Sequence, residues 1–203
     1  MENTFVQEKI IESIKVKQCL MEDISSLHNI QLCANLIVKA MGQGNKLMLC
    51  GNGGSAADSQ HIAGEFTGRF YLERDPLPAI ALTTDTSALT AIGNDYGYED
   101  VFLRQVRALG QDGDILLGFS TSGNSKNIVK AMAYAKTKNI VNIALTGESG
   151  GKMKEMCDVL IRVPSSDTPR IQESHIMIGH ILCEIIEKTL FDDAKKATPV
   201  QYR

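Results

Sequence analysis

Lys46-Leu47-Met48-Leu49-Cys50-Gly51-Asn52-Gly53-Gly54-Ser55-Ala56-Ala57-Asp58 passes from a short apolar run, through a glycine-rich loop, into a helical pattern. The run Lys46 to Cys50 is near-continuously apolar, as a strand buried on both faces requires. The loop glycines permit positive φ and let a ligand approach the backbone. Ser55 is placed to cap a helix over Ala56 to Phe66, and Asp58, three residues on, resembles the partner in a capping box. Free N–H groups and the positive end of a helix dipole favour an anion at such a junction. Neither Gly-x-x-x-x-Gly-Lys-Ser/Thr nor Gly-x-Gly-x-x-Gly with its acidic partner is present, so the common nucleotide loops are excluded.

The same strand-to-helix unit recurs downstream. Ala79 to Leu82, Asp114 to Phe119 and Ile140 to Leu145 read as buried strands, and Val159 to Val163 as a weaker one. Helical patterns cover Tyr98 to Ala108, Asn127 to Lys138 and Lys152 to Met156, and a last long helix runs from Gln172 to Leu190. Strands alternating with helices imply a parallel sheet covered on both faces, joined by right-handed crossovers. Upstream, residues 5 to about 42 read as two helices with a break at Ser25 or Ser26. Phe5, Ile10, Ile11, Ile14 and Val16 recur at roughly helical spacing on the first.

A length of 203 residues fits one domain with one core. A formal net charge of −3 gives no support to nucleic-acid binding. No apolar run approaches the ~18 residues of a membrane span, and the start lacks the basic-then-apolar order of a signal peptide. The five cysteines, Cys19, Cys33, Cys50, Cys157 and Cys183, are widely spaced without a Cys-x-x-Cys pair. They read as small core residues in a reducing cytoplasm.

Two further constellations carry chemistry. The segment Ser120-Thr121-Ser122-Gly123-Asn124-Ser125 follows a strand and precedes a helix. Its hydroxyls and N–H groups can encircle a phosphate monoester without magnesium, beyond the carboxyl end of the sheet where ligands bind in open α/β folds. His61 and Glu65 lie one helical turn apart on one face, near enough to chelate one ion. Imidazole with carboxylate suits zinc and leaves room for substrate oxygens. Arg170-Ile171-Gln172-Glu173-Ser174-His175 and His180 open the last helix, and spacing alone does not choose between His175 and His180 as ligand. Gln172 and His180 are eight residues apart, roughly 12 Å along a helix. Joint ligation would need long side chains to converge or an interface between subunits.

With these segments assembled, the chain resembles the phosphoheptose isomerases of the sugar-isomerase (SIS) domain superfamily. The resemblance rests on residues 51–58, Gln60-His61, Glu65, Leu82-Thr83-Thr84-Asp85-Thr86, Ala91-Ile92-Gly93-Asn94-Asp95-Tyr96-Gly97, residues 120–125, Arg170-Ile171-Gln172-Glu173 and His180. It implies a flavodoxin-like three-layer α/β sandwich with a five-stranded parallel sheet. One SIS domain would span 1–192, with the N-terminal helical extension at 1–43 and a flexible tail at 193–203. It implies a homotetramer with active sites built between subunits, and one Zn2+ per subunit on His61, Glu65, Gln172 and His180. Substrate contacts would come from Asn52, Gly53, Gly54, Ser55, Glu65, Asn94, Asp95, Ser120, Thr121, Ser122, Ser125 and Gln172, with the phosphate in the serine loop. The implied reaction converts D-sedoheptulose 7-phosphate to D-glycero-D-manno-heptose 7-phosphate through an enediol, with Glu65 and His180 catalytic. The competing reading is a non-catalytic tetrameric SIS protein that binds the bacterial replication initiator. Such proteins lack the acidic residue and the histidine at positions 65 and 180, both of which this chain keeps. A sugar-phosphate sensor fused to a transcription regulator is disfavoured because no DNA-binding helix-turn-helix accompanies the core.

Overall fold

A computed structural model describes residues 2–191; the tail expected at 193–203 lies outside the described residues. Two helices, α1 (Glu2–Glu22) and α2 (Ile24–Gly42), precede the sheet. Then follow β1 (Leu47–Gly51), α3 (Gly54–Thr67), β2 (Ala79–Ala81), α4 (Thr86–Tyr96), a 3₁₀ turn (Tyr98–Asp100) and α5 (Val101–Leu109). The chain continues through β3 (Ile115–Ser120), α6 (Lys126–Lys136), β4 (Val141–Thr146), a second 3₁₀ turn (Gly151–Glu155), β5 (Val159–Arg162) and α7 (Thr168–Phe191).

All strand pairs are parallel, and the order is β2-β1-β3-β4-β5. Alternation along each strand splits the core in two. Leu47, Leu49, Ile115, Leu117, Ile143 and Leu145 pack under α2, α3 and α7 with Ile37, Ile62, Phe66, Ile178 and Leu182. Met48, Cys50, Leu116 and Ala144 face the opposite way, onto Phe102, Val106, Ile128 and Met132 of α5 and α6. The result is the expected three-layer sandwich. Strand order reverses between β1 and β3, where Gly51 sits in register with Phe119. A crevice outside the carboxyl ends of these two strands is the ligand position of such sheets. Both polar loops leave from it.

Several local expectations are corrected. The cap of α3 is Gly53, with φ 58, and not Ser55, which is buried inside the first turn. Positive φ at Gly53 turns the chain early enough for the helix to start at Gly54, so no box with Asp58 forms. The helical break upstream falls at Asp23, whose carboxylate accepts from the Ser25 N–H (3.0 Å). The helical pattern at Lys152 to Met156 is a 3₁₀ turn, Gly151–Glu155, rather than an α-helix, and α7 begins at Thr168 rather than Gln172. The unexpected α4 is capped by Asp85, which accepts from the Ala88 N–H (2.9 Å), and it buries none of its residues. Of the apolar row on α1, Phe5, Ile10, Ile11 and Ile14 are exposed, and Val16 is half-buried against the first core. Cys33, Cys50 and Cys183 are core residues as expected, whereas Cys19 is exposed and Cys157 half-buried. Among the described residues no helix is long and apolar enough to cross a membrane.

Candidate active site

The loop after β1 is held close to its neighbours on both sides. A side chain at Gly51 would strike the Ser55 carbonyl, so α3 starts hard against the strand end. A Cβ at Gly54 would lie 2.7 Å from Gln172 Nε2, which sets the Gln172 amide of α7 directly onto this loop. In the loop after β3, the Ser120 and Ser125 hydroxyls hydrogen-bond each other (2.8 Å). Gly123, with φ 65, turns the chain where any Cβ would strike the Gly150 carbonyl. Ser122 Oγ accepts from the Asn124 N–H (3.2 Å), and the Asn124 side chain accepts from the Lys152 N–H (3.1 Å). The serine loop is thereby shaped before any ligand arrives, at the N-terminal end of α6. Asn94 and Asp95 lie near the end of α4, where Asn94 donates to the Asp95 carboxylate (2.8 Å) and both face solvent.

His61 and Glu65 of α3 sit one turn apart, with 3.4 Å between Nε2 and Oε1. His180 of α7 brings its Nε2 to 2.8 Å from the Nε2 of His61. The approach of the two helices is set at Gly179, where a Cβ would meet Ile62 at 2.6 Å. Donor atoms of His61, Glu65 and His180 all lie within 4.8 Å of one another, as a metal-binding group requires. Two ring nitrogens and a carboxylate oxygen around one point form a donor set suited to zinc. These residues, with Arg69, Phe70 and Tyr71, line a cavity of about 540 Å³. The other histidine considered, His175, belongs to the core: it is fully buried and its ring N–H donates to the Thr146 carbonyl (3.2 Å). Burial pushes its pKa down to about 4, so the ring is neutral. Burial also raises the carboxyl of Asp58, opposed by the proximity of His61.

The wall of the cavity is built by a buried ion pair. Glu187 of α7 accepts from the N–H groups of Phe70 (3.2 Å), Tyr71 (2.7 Å) and Leu72 (3.0 Å), and from Arg74 Nε (3.0 Å). The same guanidinium donates to the carbonyls of Glu65 and Phe66, both at 2.8 Å, closing the end of α3. Phe70 is thereby stacked on the His180 ring, with centroids 5.8 Å apart.

The chain as a whole is similar to known proteins. The SIS domain family model matches residues 15–147. The phosphoheptose isomerase of Aneurinibacillus thermoaerophilus is 54% identical over 189 residues, 93% of this chain and 96% of that protein. Phosphoheptose isomerase 2 of Campylobacter jejuni is 56% identical over 93% of this chain and 94% of its own. The structure of a phosphoheptose isomerase from Neisseria gonorrhoeae superposes with a TM-score of 0.87 at 46% identity, covering 93% of this chain and all (100%) of that one. The chain belongs to the phosphoheptose isomerase family.

In this family member the fold brings together His61, Glu65 and His180, and separately sets Gln172 on Gly54. Three residues of the cavity were not anticipated from sequence. Arg69 lies four residues beyond Glu65 in sequence, but α3 ends at Thr67, so it reaches the cavity from outside the helix and helical spacing does not find it. Phe70 and Tyr71 follow in an irregular segment where no periodicity operates. Asn127 and Tyr98, which hydrogen-bond Asn52, also went unmarked.

Proposed function

We propose that this chain is a phosphoheptose isomerase that converts D-sedoheptulose 7-phosphate to D-glycero-D-manno-heptose 7-phosphate, the first step of nucleotide-activated heptose biosynthesis. The observation that carries the proposal is the convergence of His61 and Glu65, on the helix that the glycine loop opens, with His180 of α7, in a chain more than half identical to enzymes of that name. The replication-initiator reading loses its footing on the same point, because the acid and the histidine it would lack are present and face each other across one cavity.

The serine loop would take the phosphate on Ser120, Thr121, Ser122 and Ser125, fixing the far end of the open-chain sugar. Asn52, Gly53, Gly54, Ser55, Asn94, Asp95 and Gln172 would hold its hydroxyls. Distant phosphate binding keeps C1 and C2 in register with the reacting groups. The Glu65 carboxylate, 23% exposed, reaches the cavity. It would remove the C1 proton and return it to C2, while His180 moves a proton between the two oxygens. Phe70 stacked on His180 restricts the ring to one orientation. His61, Glu65, Gln172 and His180 would hold Zn2+, which when bound supplies Lewis-acid polarisation of the substrate oxygens.

The protein would act as a homotetramer in the cytoplasm, with no membrane or nucleic-acid partner. The exposed apolar row of Phe5, Ile10, Ile11 and Ile14 supports an assembled state, since such a row is costly to leave in water. Activity on sedoheptulose 7-phosphate, tested against other ketose phosphates with and without added zinc, examines the proposal. Glu65→Gln and His180→Gln should each abolish turnover while leaving the melting temperature and assembly intact. Near-normal turnover by Glu65→Gln would overturn the assignment of the base.

A further inference from the structure

Asn52 leaves β1 and Asn127 opens α6, so their side chains meet across the switch point of the sheet. They form a reciprocal amide pair: Asn52 Nδ2 donates to Asn127 Oδ1 (3.0 Å), and Asn127 Nδ2 donates to Asn52 Oδ1 (2.8 Å). A free asparagine is ambiguous, because its amide can turn over and exchange donor for acceptor. Here the ambiguity is removed at Asn127. Its Oδ1 also accepts from the backbone N–H of Ile128 (3.0 Å), and a turned amide would set donor against donor at that contact. The Ile128 N–H also donates to the Ser125 carbonyl (3.1 Å), so what fixes the Asn127 amide is the clash that a turned NH2 would make with that N–H, at a side chain only 3% exposed.

The orientation is passed on. Asn52 Oδ1 receives Asn127 Nδ2 and, in addition, the Tyr98 hydroxyl (3.1 Å). Both of its lone pairs are then taken. One N–H of Asn52 is used by Asn127, and its second N–H is the polar group of that side chain left to meet a ligand. We propose that Asn127 is a positioning residue that locks the Asn52 amide so that it offers the substrate a donor and never an acceptor. The ligand group it suits is an oxygen carrying lone pairs and negative charge, such as a phosphate oxygen or the oxygen of an enediolate. This inference rests on the reading of Asn52 as a substrate contact.

A double-mutant cycle tests it. Asn52→Ala, Asn127→Ala and the double variant are compared with the unaltered protein. Each is measured for kcat and KM with sedoheptulose 7-phosphate, for the calorimetric Kd of that sugar phosphate, and for melting temperature. Asn127→Ala should lower kcat/KM by about tenfold, the scale of one orphaned hydrogen-bonding group. It should add nothing further in the Asn52→Ala background, because it acts through Asn52 alone. Asn127→Asp keeps acceptance from Ile128 and Asn52 but sets a carboxylate oxygen against Asn52 Oδ1, where Asn127 Nδ2 now donates at 2.8 Å, so it should lose at least as much as Asn127→Ala. If Asn127→Ala melts too low to assay, Asn127→Asp takes its place in the cycle. Losses that multiply independently, an Asn127 variant as active as the unaltered protein, or a neutral Asn52→Ala would each overturn the proposal. If the unaltered protein does not turn over the heptulose phosphate, the isomerase reading fails instead. The calorimetric cycle then decides the role of Asn127 by itself.

Discussion

Gly179→Ala tests whether the contact between α3 and α7 sets the metal-binding group. An ideal Cβ at this position lies 2.6 Å from Ile62 Cδ1 and 2.9 Å from its Cγ1. Rotation about χ2 of Ile62 can move Cδ1 but leaves Cγ1 in place, χ1 of an isoleucine within a helix is held in one rotamer, and Ile62 is only 1% exposed. Helix α7 must therefore retreat by roughly 0.5–0.8 Å to regain ordinary contact. His180 is the next residue and moves with the helix. Metal sites tolerate about 0.2 Å in ligand distance, so zinc affinity should fall about 10- to 100-fold, the scale seen when ligand orientation is disturbed. Stability changes less. Overpacking costs about 1–3 kcal/mol, and alanine returns about 1 kcal/mol over glycine within a helix. The melting temperature should fall by a few degrees, at roughly 2–4 °C per kcal/mol for a chain of this size. A competition titration against a chromophoric zinc chelator, with a parallel thermal melt, reads both quantities. Adding Ile62→Val, which removes Cδ1, should restore part of the affinity. Unchanged zinc affinity in Gly179→Ala would refute the claim that helix apposition sets the site.

Other outcomes follow from buried groups. Burial holds the folded His175 pKa at about 4, below its unfolded value of about 6.5. Its contribution to stability is fully present above pH 6.5 and is lost as pH falls toward 4, to an extent of about 3 kcal/mol. His175→Leu should therefore flatten the decline of melting temperature over that window, and an unchanged pH profile would count against the assignment. Glu187→Ala would strand the Arg74 guanidinium and three backbone N–H groups. It should cost about 3–5 kcal/mol, a fall on the order of 10 °C, and a melt like that of the unaltered protein would contradict the geometry. Gly54→Ala would press on the flexible end of Gln172 and should raise KM about 3- to 10-fold with little change in melting. An unchanged KM would remove Gln172 from the substrate site.

The sheet was legible because its strands are buried on both faces, and continuous apolar runs such as Leu47 to Cys50 have no competing explanation. Helix boundaries were less so. Gly53 supplies a positive φ that starts α3 before the residue best suited to cap it. The missed α4 opens on Thr86-Ser87 and carries Thr90, all weak helix formers, and its contact with the core is only the half-buried pair Leu89 and Ile92, too short a row to stand out as a period. Asp85 was its one local signal. In the site, the i, i+4 spacing of His61 and Glu65 placed them on one face. The choice of His180 over His175 depends on which side of α7 meets α3, and that is decided at Gly179 and Ile62, a contact no spacing reveals. The wall formed by Phe70 and Tyr71 depends on a carboxylate more than a hundred residues away, Glu187.

On the proposed function, one metal-dependent isomerase site lies between α3 and α7. One preparation, assayed for zinc content and for conversion of sedoheptulose 7-phosphate before and after chelation, addresses it most directly. The expected result is one zinc per chain, turnover lost on stripping, and turnover restored by stoichiometric zinc. Undiminished turnover by metal-free protein would contradict the account.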